Sequence, residues 1–165
     1  MNHLIISFTS PDKPGLVDKL SKIIKLNHGN WQTSSLHHLS GFFAGVIEVA
    51  VTVDQTDALI SALKNLSEFS LNIEVANVAS PKVPANLVLE LTANDRSGIV
   101  QEISSIIHQK GGNLLKLVSS QESAAHSGQD LFKAKATITI DNNAIDPLIS
   151  EIESLADDLM VDISR

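Results

Sequence analysis

Residues 4–30 overlay residues 87–113 without a gap, at a constant offset of 83, so the chain states one structural unit twice. Along that overlay Thr9 meets Thr92, Asp12 meets Asp95, Gly15 meets Gly98, and the pair Gly29 and Asn30 meets Gly112 and Asn113. The apolar stripe is duplicated too: Leu16, Val17, Leu20, Ile23 and Ile24 fall on Ile99, Val100, Ile103, Ile106 and Ile107. A repeat this long is a domain rather than a solenoid turn. Two like domains can pair as a homodimer would and build ligand sites at their shared boundary.

Each copy reads as strand, helix, strand, strand, helix, strand. Residues 3–9 alternate with Leu4, Ile6 and Phe8 on one face, and Leu87, Leu89 and Leu91 repeat the pattern. Helices are expected over about 14–28 and 97–110, each with Asp upstream and Gly at its far end. Strands over 31–39 and 42–53 are joined tightly by Ser40 and Gly41, with Ile47, Val49, Val51 and Val53 expected on the buried face. Their counterparts, 113–123 and 131–140, are separated by the longer segment 124–129. Second helices carry Leu59, Ala62, Leu63 and Leu66 in one copy and Ile145, Leu148, Ile149, Ile152 and Leu155 in the other, and final strands cover 71–78 and 159–164. This order is the split βαβ arrangement. The expected fold class is α+β: two ferredoxin-like βαββαβ domains, each a four-stranded antiparallel sheet with two helices on one face and strands 2 and 4 at the edges. The expected division is 1–79, a proline-stiffened connector at 80–85, and 86–165.

Charge and composition exclude several classes. The formal net charge is -7, with only Arg96 and Arg165 as arginines, which disfavours phosphate-rich partners. Lys19, Lys22 and Lys25 recur on the first helix, but Glu102, Ser105 and His108 replace them in the second copy, so a solvated helix face is expected. Phe42, Phe43 and Phe132 read as core packing rather than as base-stacking aromatics. The chain has no cysteine, which removes disulfides, thiolate nucleophiles and cysteine zinc sites. No run approaches the roughly 18 apolar residues of a membrane span, and the first residues lack the pattern of a secretion leader. A cytoplasmic protein without a membrane association is expected.

The chemistry concentrates in the turn from first strand to first helix. Thr9, Ser10, Pro11, Asp12, Lys13, Pro14 and Gly15 are answered by Thr92, Ala93, Asn94, Asp95, Arg96, Ser97 and Gly98. Asp12 or Asp95 can accept from free amides of the helix, and Gly15 or Gly98 leaves backbone open to close approach. Two readings share these residues: helix capping, and an amino-acid site whose amides take a carboxylate while Asn94, Asn30 or Asn113 takes the ammonium. His37 and His38 are adjacent on a strand, point to opposite faces, and cannot readily chelate one metal ion. His28 and His108 suit the carbonyl ends of their helices, and Trp31 is expected to pack in the core or at a domain interface.

The turn Asp12, Lys13, Pro14, Gly15, Leu16, Val17, the Gly-Asn pair before the second strand, and two βαββαβ units over nearly the whole chain resemble tandem ACT domains, and more narrowly the glycine cleavage system transcriptional repressor family. That resemblance implies a non-enzymatic sensor of a small amino acid, glycine foremost, that represses transcription by binding an activator protein. It implies ligand contacts from Asp12, Lys13, Pro14, Gly15 and Asn30 in one copy and from Asn94, Asp95, Arg96, Gly98 and Asn113 in the other, with no cofactor or metal. Ser97 stands where the family has proline, which leaves open whether both loops bind. The alternative is an adaptor or scaffold that uses such domains only for assembly, with homodimerisation through free strand edges as one route. An acylphosphatase-like enzyme shares the half-fold, but the first copy lacks the loop arginine that such a site needs.

Overall fold

The computed structural model describes residues 1–76, 81 and 84–164. It divides into two compact units, Met1–Pro81 and Lys82–Arg165. The first contains β1 (Asn2–Pro11), α1 (Leu16–Leu26), β2 (Asn30–Leu39), β3 (Phe42–Val51), α2 (Thr56–Lys64) and β4 (Ser70–Ala76). The second contains β5 (Leu87–Asn94), α3 (Ile99–Gln109), β6 (Asn113–Ser123), β7 (Asp130–Thr139), α4 (Ile145–Glu153) and β8 (Met160–Ser164). Residues 80, 82 and 83 of the expected connector, and the expected end of the first domain at 77–79, lie outside the described residues.

The sheets run β2-β3-β1-β4 and β6-β7-β5-β8, antiparallel throughout, with β2 and β4, or β6 and β8, at the edges. Alternation along β1 sends Leu4, Ile6 and Phe8 inward, where Leu16, Leu20, Ile24, Leu59 and Leu63 close over them. Ile5, between them, remains 38% exposed on the opposite face. The helices therefore cover one face only. Leu87, Leu89 and Leu91 with Ile99, Ile103, Ile107, Leu148 and Ile152 repeat this core. Each such Leu or Ile contributes about 1.5–3 kcal/mol by leaving water.

Duplication extends to the irregularities. Gly29 donates to Ile24 O and His28 to Lys25 O, while Gly112 donates to Ile107 O and Gly111 to His108 O. Both helices thus end in the same two-bond cap. It requires a left-handed residue, which is Gly111 at φ +77° but His28 at φ +59° in the first unit. His28 therefore lies beyond α1 rather than at its end, and only His108 sits in the last helical turn. β2 and β6 each carry one extra residue near their start, between Trp31 and Ser34 and between Leu114 and Lys116.

Several expectations are corrected. α1 and α3 begin at Leu16 and Ile99, later than expected, because Gly15 (φ +89°) and Gly98 (φ +87°) sit left-handed at their N-caps. Neither Asp12 nor Asp95 caps its helix, and no side chain does. Val53 leaves the strand for a 3₁₀ turn and is 68% exposed. Phe42 is 51% exposed beside the β2–β3 turn, whereas Phe43 packs on the first core and Phe132 lies within the second. Phe8 holds Phe43 and Phe69 with ring centroids 5.9 and 5.5 Å away. Trp31 packs partly on the first core and donates through Nε1 to Ser34 Oγ at 3.1 Å; Leu114 occupies its place in the second unit.

Candidate functional site

The β1–α1 loop is pinned to the tip of its neighbouring hairpin in both units. Asp12 N–H donates to Gly41 O and Asp95 N–H to Asp130 O, each at 2.9 Å. In the first unit the hairpin turns through Ser40 (φ +49°) and Gly41 (φ +85°), the conformation a two-residue turn demands. In the second, Ser123 pairs with Asp130 and Ala124 N–H reaches Gln129 O, so residues 124–129 prolong the ladder past the loop.

The two aspartates use their carboxylates in equivalent contacts rather than as caps. Asp12 Oδ2 lies 2.5 Å from His38 Nδ1. Asp95 Oδ2 accepts from Gln121 Nε2 at 2.7 Å, and the same amide reaches Asp130 Oδ2 at 3.3 Å. With both carboxylates drawn toward the hairpin, the first turns of α1 and α3 carry no side-chain cap. Amides of an uncapped helix start favour an anion. A Cβ built on Gly15 or Gly98 meets nothing within 4 Å, so these glycines serve backbone conformation rather than close packing.

The loop cations differ between units. Lys13 Nζ lies 2.5 Å from Glu68 Oε2, and Lys19 of α1 approaches Oε1 of the same carboxylate. Lys13, then Lys19, holds the Glu68 carboxyl below its ordinary range. Arg96 instead grips Glu102, one turn into α3, with Nη1 to Oε1 at 3.0 Å and Nη2 to Oε2 at 2.5 Å. This fork lowers the Glu102 carboxyl and raises the guanidinium. Asp158, which stands where the first unit has Glu68, accepts from Asn94 N–H at 2.6 Å. Pro11 occupies the Asn94 position in the first unit and has no N–H to offer.

A shallow open pocket beside the first loop is lined by Asp12, Lys13, Gly15, Val17, Asp18 and Phe43, among others. A narrow, almost wholly apolar crevice in the second unit runs between α3 and β6, past Val100, Ile103, Leu114, Leu117 and Ala136. It offers no carboxylate or ammonium partner.

The structure gathers Asp12, Lys13, Pro14 and Gly15 in one loop, and Asn94, Asp95, Arg96 and Gly98 in the other. Asn30 and Asn113 do not join them within a unit. Asn30 opens β2 opposite Ala50, level with His3, and the nine residues from His3 to Asp12 span about 30 Å at roughly 3.3 Å each. The site's other neighbours, His38, Gln121, Glu68 and Asp158, escaped the sequence reading. His38 and Gln121 keep the offset of 83 beyond the overlaid residues, but only strand register brings them to the aspartates. His37 turns instead to Ser35 Oγ at 3.4 Å. Among the described residues no group of three or more metal-binding side chains meets, and no helix is long and apolar enough to cross a membrane.

No family model and no curated protein sequence matches the chain. Solved structures do. A protein of unknown function from Galdieria sulphuraria superposes with a TM-score of 0.77 at 22% identity, over 99% of this chain and 98% of that one. A candidate glycine cleavage system transcriptional repressor superposes with a TM-score of 0.74 at 13% identity, over the same shares of each chain. At these identities the likeness is one of fold. The chain therefore consists of two ferredoxin-like βαββαβ units, and along its length it resembles in fold that candidate glycine cleavage system transcriptional repressor.

Proposed function

We propose that the chain is a non-enzymatic regulator that binds a small amino acid, glycine foremost, at the β1–α1 loop and represses transcription through a protein partner, an activator. One observation carries this reading. The duplicated loop draws its aspartate away from the helix, leaving in the first unit an uncapped first turn beside a cation and a shallow open pocket. Amides and Lys13 suit the carboxylate of an amino acid, and the Asp12 carboxylate suits its ammonium. The loop's charged side chains pair with the hairpin, with α3 and with the segment before β4, an arrangement fitted to recognition rather than to delivering a nucleophile. In this reading domains 1–79 and 86–165 flank a linker at 80–85, the protein works in the cytoplasm, and neither membrane nor nucleic acid is a direct partner.

A thermal-shift titration against glycine, alanine, serine and nucleotides tests the proposal. An amino acid present at about a hundred times its dissociation constant stabilises the folded chain by roughly 2.7 kcal/mol. A rise selective for small amino acids is the expected result. A flat response across the panel favours the adaptor reading instead.

A further inference from the structure

We infer that the two β1–α1 loops are not equivalent receptors: only the first unit's loop receives the effector carboxylate, with Lys13 as the group that swings to meet it. The inference rests on the amino-acid-sensing reading and says which half of the chain does the sensing.

The two loop cations are held differently. Glu68 is shared by Lys13 and Lys19, one on each carboxylate oxygen. If Lys13 turns to a ligand, Lys19 keeps Glu68 paired, so no charge is stranded. Lys13 is also 55% exposed, on a flexible stem with room to move. Arg96 has no such deputy. Its fork occupies both oxygens of Glu102, and turning it to a ligand breaks two charge-assisted bonds and leaves Glu102 without that partner.

Local charge points the same way. Around the first loop two lysines, Lys13 and Lys19, face three carboxylates, Asp12, Asp18 and Glu68, with His38 against one of them. Around the second, Arg96 alone faces Asp95, Glu102, Asp130 and Asp158. Three positions make the change: Lys19 becomes Glu102 and Gly41 at the hairpin tip becomes Asp130, only partly offset by Asp18 becoming Gln101. A carboxylate entering the second loop meets repulsion from several directions. In the first it meets a cation that can be released.

Isothermal calorimetry of the full chain with glycine tests this, with alanine and serine as further probes. The expected stoichiometry is one amino acid per chain. Lys13→Ala weakens binding about tenfold, the loss of one charge-assisted hydrogen bond. Glu68→Gln tightens it several-fold by freeing Lys13, a gain that damage to the fold cannot produce. Two amino acids bound per chain, or an affinity that neither substitution moves, overturns the inference while leaving amino-acid sensing intact. No heat and no stabilisation with any probe overturns the sensing reading itself, and the inference with it.

Discussion

Asp12 and His38 stand 26 residues apart and meet at 2.5 Å, and 83 residues later Asp95 and Gln121 repeat the contact at 2.7 Å. One geometry is thus held by an imidazole in the first unit and by an amide in the second. An exposed pair of this kind is worth about 1 kcal/mol or less to global stability. Its effect is expected in the loop. His38→Gln should preserve the slow exchange of the Asp12 amide, which donates to Gly41 O, while His38→Ala should accelerate it. Equal exchange in both variants would show that the contact does not fix the loop.

Glycine substitutions should separate backbone strain from crowding. Gly15→Ala forces an alanine to φ +89° but finds open space, so a cost of about 1–2 kcal/mol is expected. Gly45→Ala places its Cβ against the backbone of the neighbouring strand, 2.9 Å from Leu36 Cα, where nothing flexible can yield. Its cost should exceed that of Gly15→Ala by about 1 kcal/mol or more. Urea midpoints rank the two, and the reverse order would contradict the packing at Gly45.

Acid should weaken the fold partly through Glu68 and Glu102. Lys13 and Lys19 lower the first carboxyl in the folded chain, and Arg96 lowers the second. The unfolded chain therefore binds more protons between the folded and unfolded values, and stability rises with pH across that window. Their contribution is complete above the ordinary glutamate value of about 4.3 and is lost as pH falls through the lower folded values. Urea midpoints measured from about pH 5 down to about pH 3 should fall less steeply in Glu68→Gln and Glu102→Gln than in the parent chain. Unchanged slopes would mean these pairs do not persist in solution.

Leu59 is fully buried in the first core, against the sheet face that carries Leu4 and Ile6. Leu59→Ala should cost about 2–5 kcal/mol. Trp31, the sole tryptophan, lies on that core and reports its unfolding by fluorescence. A midpoint shift of less than about 0.5 kcal/mol would place Leu59 outside the core.

Much of this fold was legible because duplication supplies two readings of each element. Leu4, Ile6 and Phe8, and again Leu87, Leu89 and Leu91, alternate as half-buried strands do, and all six are buried. The Ser40-Gly41 turn and the far-end glycines were likewise visible as punctuation. Helix starts were misplaced because Asp followed by Gly reads as a cap, whereas the glycine itself takes the left-handed N-cap and the aspartate turns to the hairpin. That choice depends on His38 and Gln121, which strand register brings close and no local pattern reveals. Asn30 and Asn113, expected at the site from their position in the motif, stand apart from the loop within each unit, because β2 and β6 run parallel to β1 and β5 and start at the far end of each sheet. Glu68 and Asp158 are invisible to a constant offset because the spacing has drifted by the time α2 and α4 are passed.

The most direct test of the sensing claim is an amide NMR titration of the isotope-labelled chain with glycine. The expected result is a set of saturable shifts confined to residues 12–18, centred on Gly15 and Leu16, with the equivalent amides at 95–101 unmoved. Shifts centred elsewhere, or none at millimolar glycine, would contradict it.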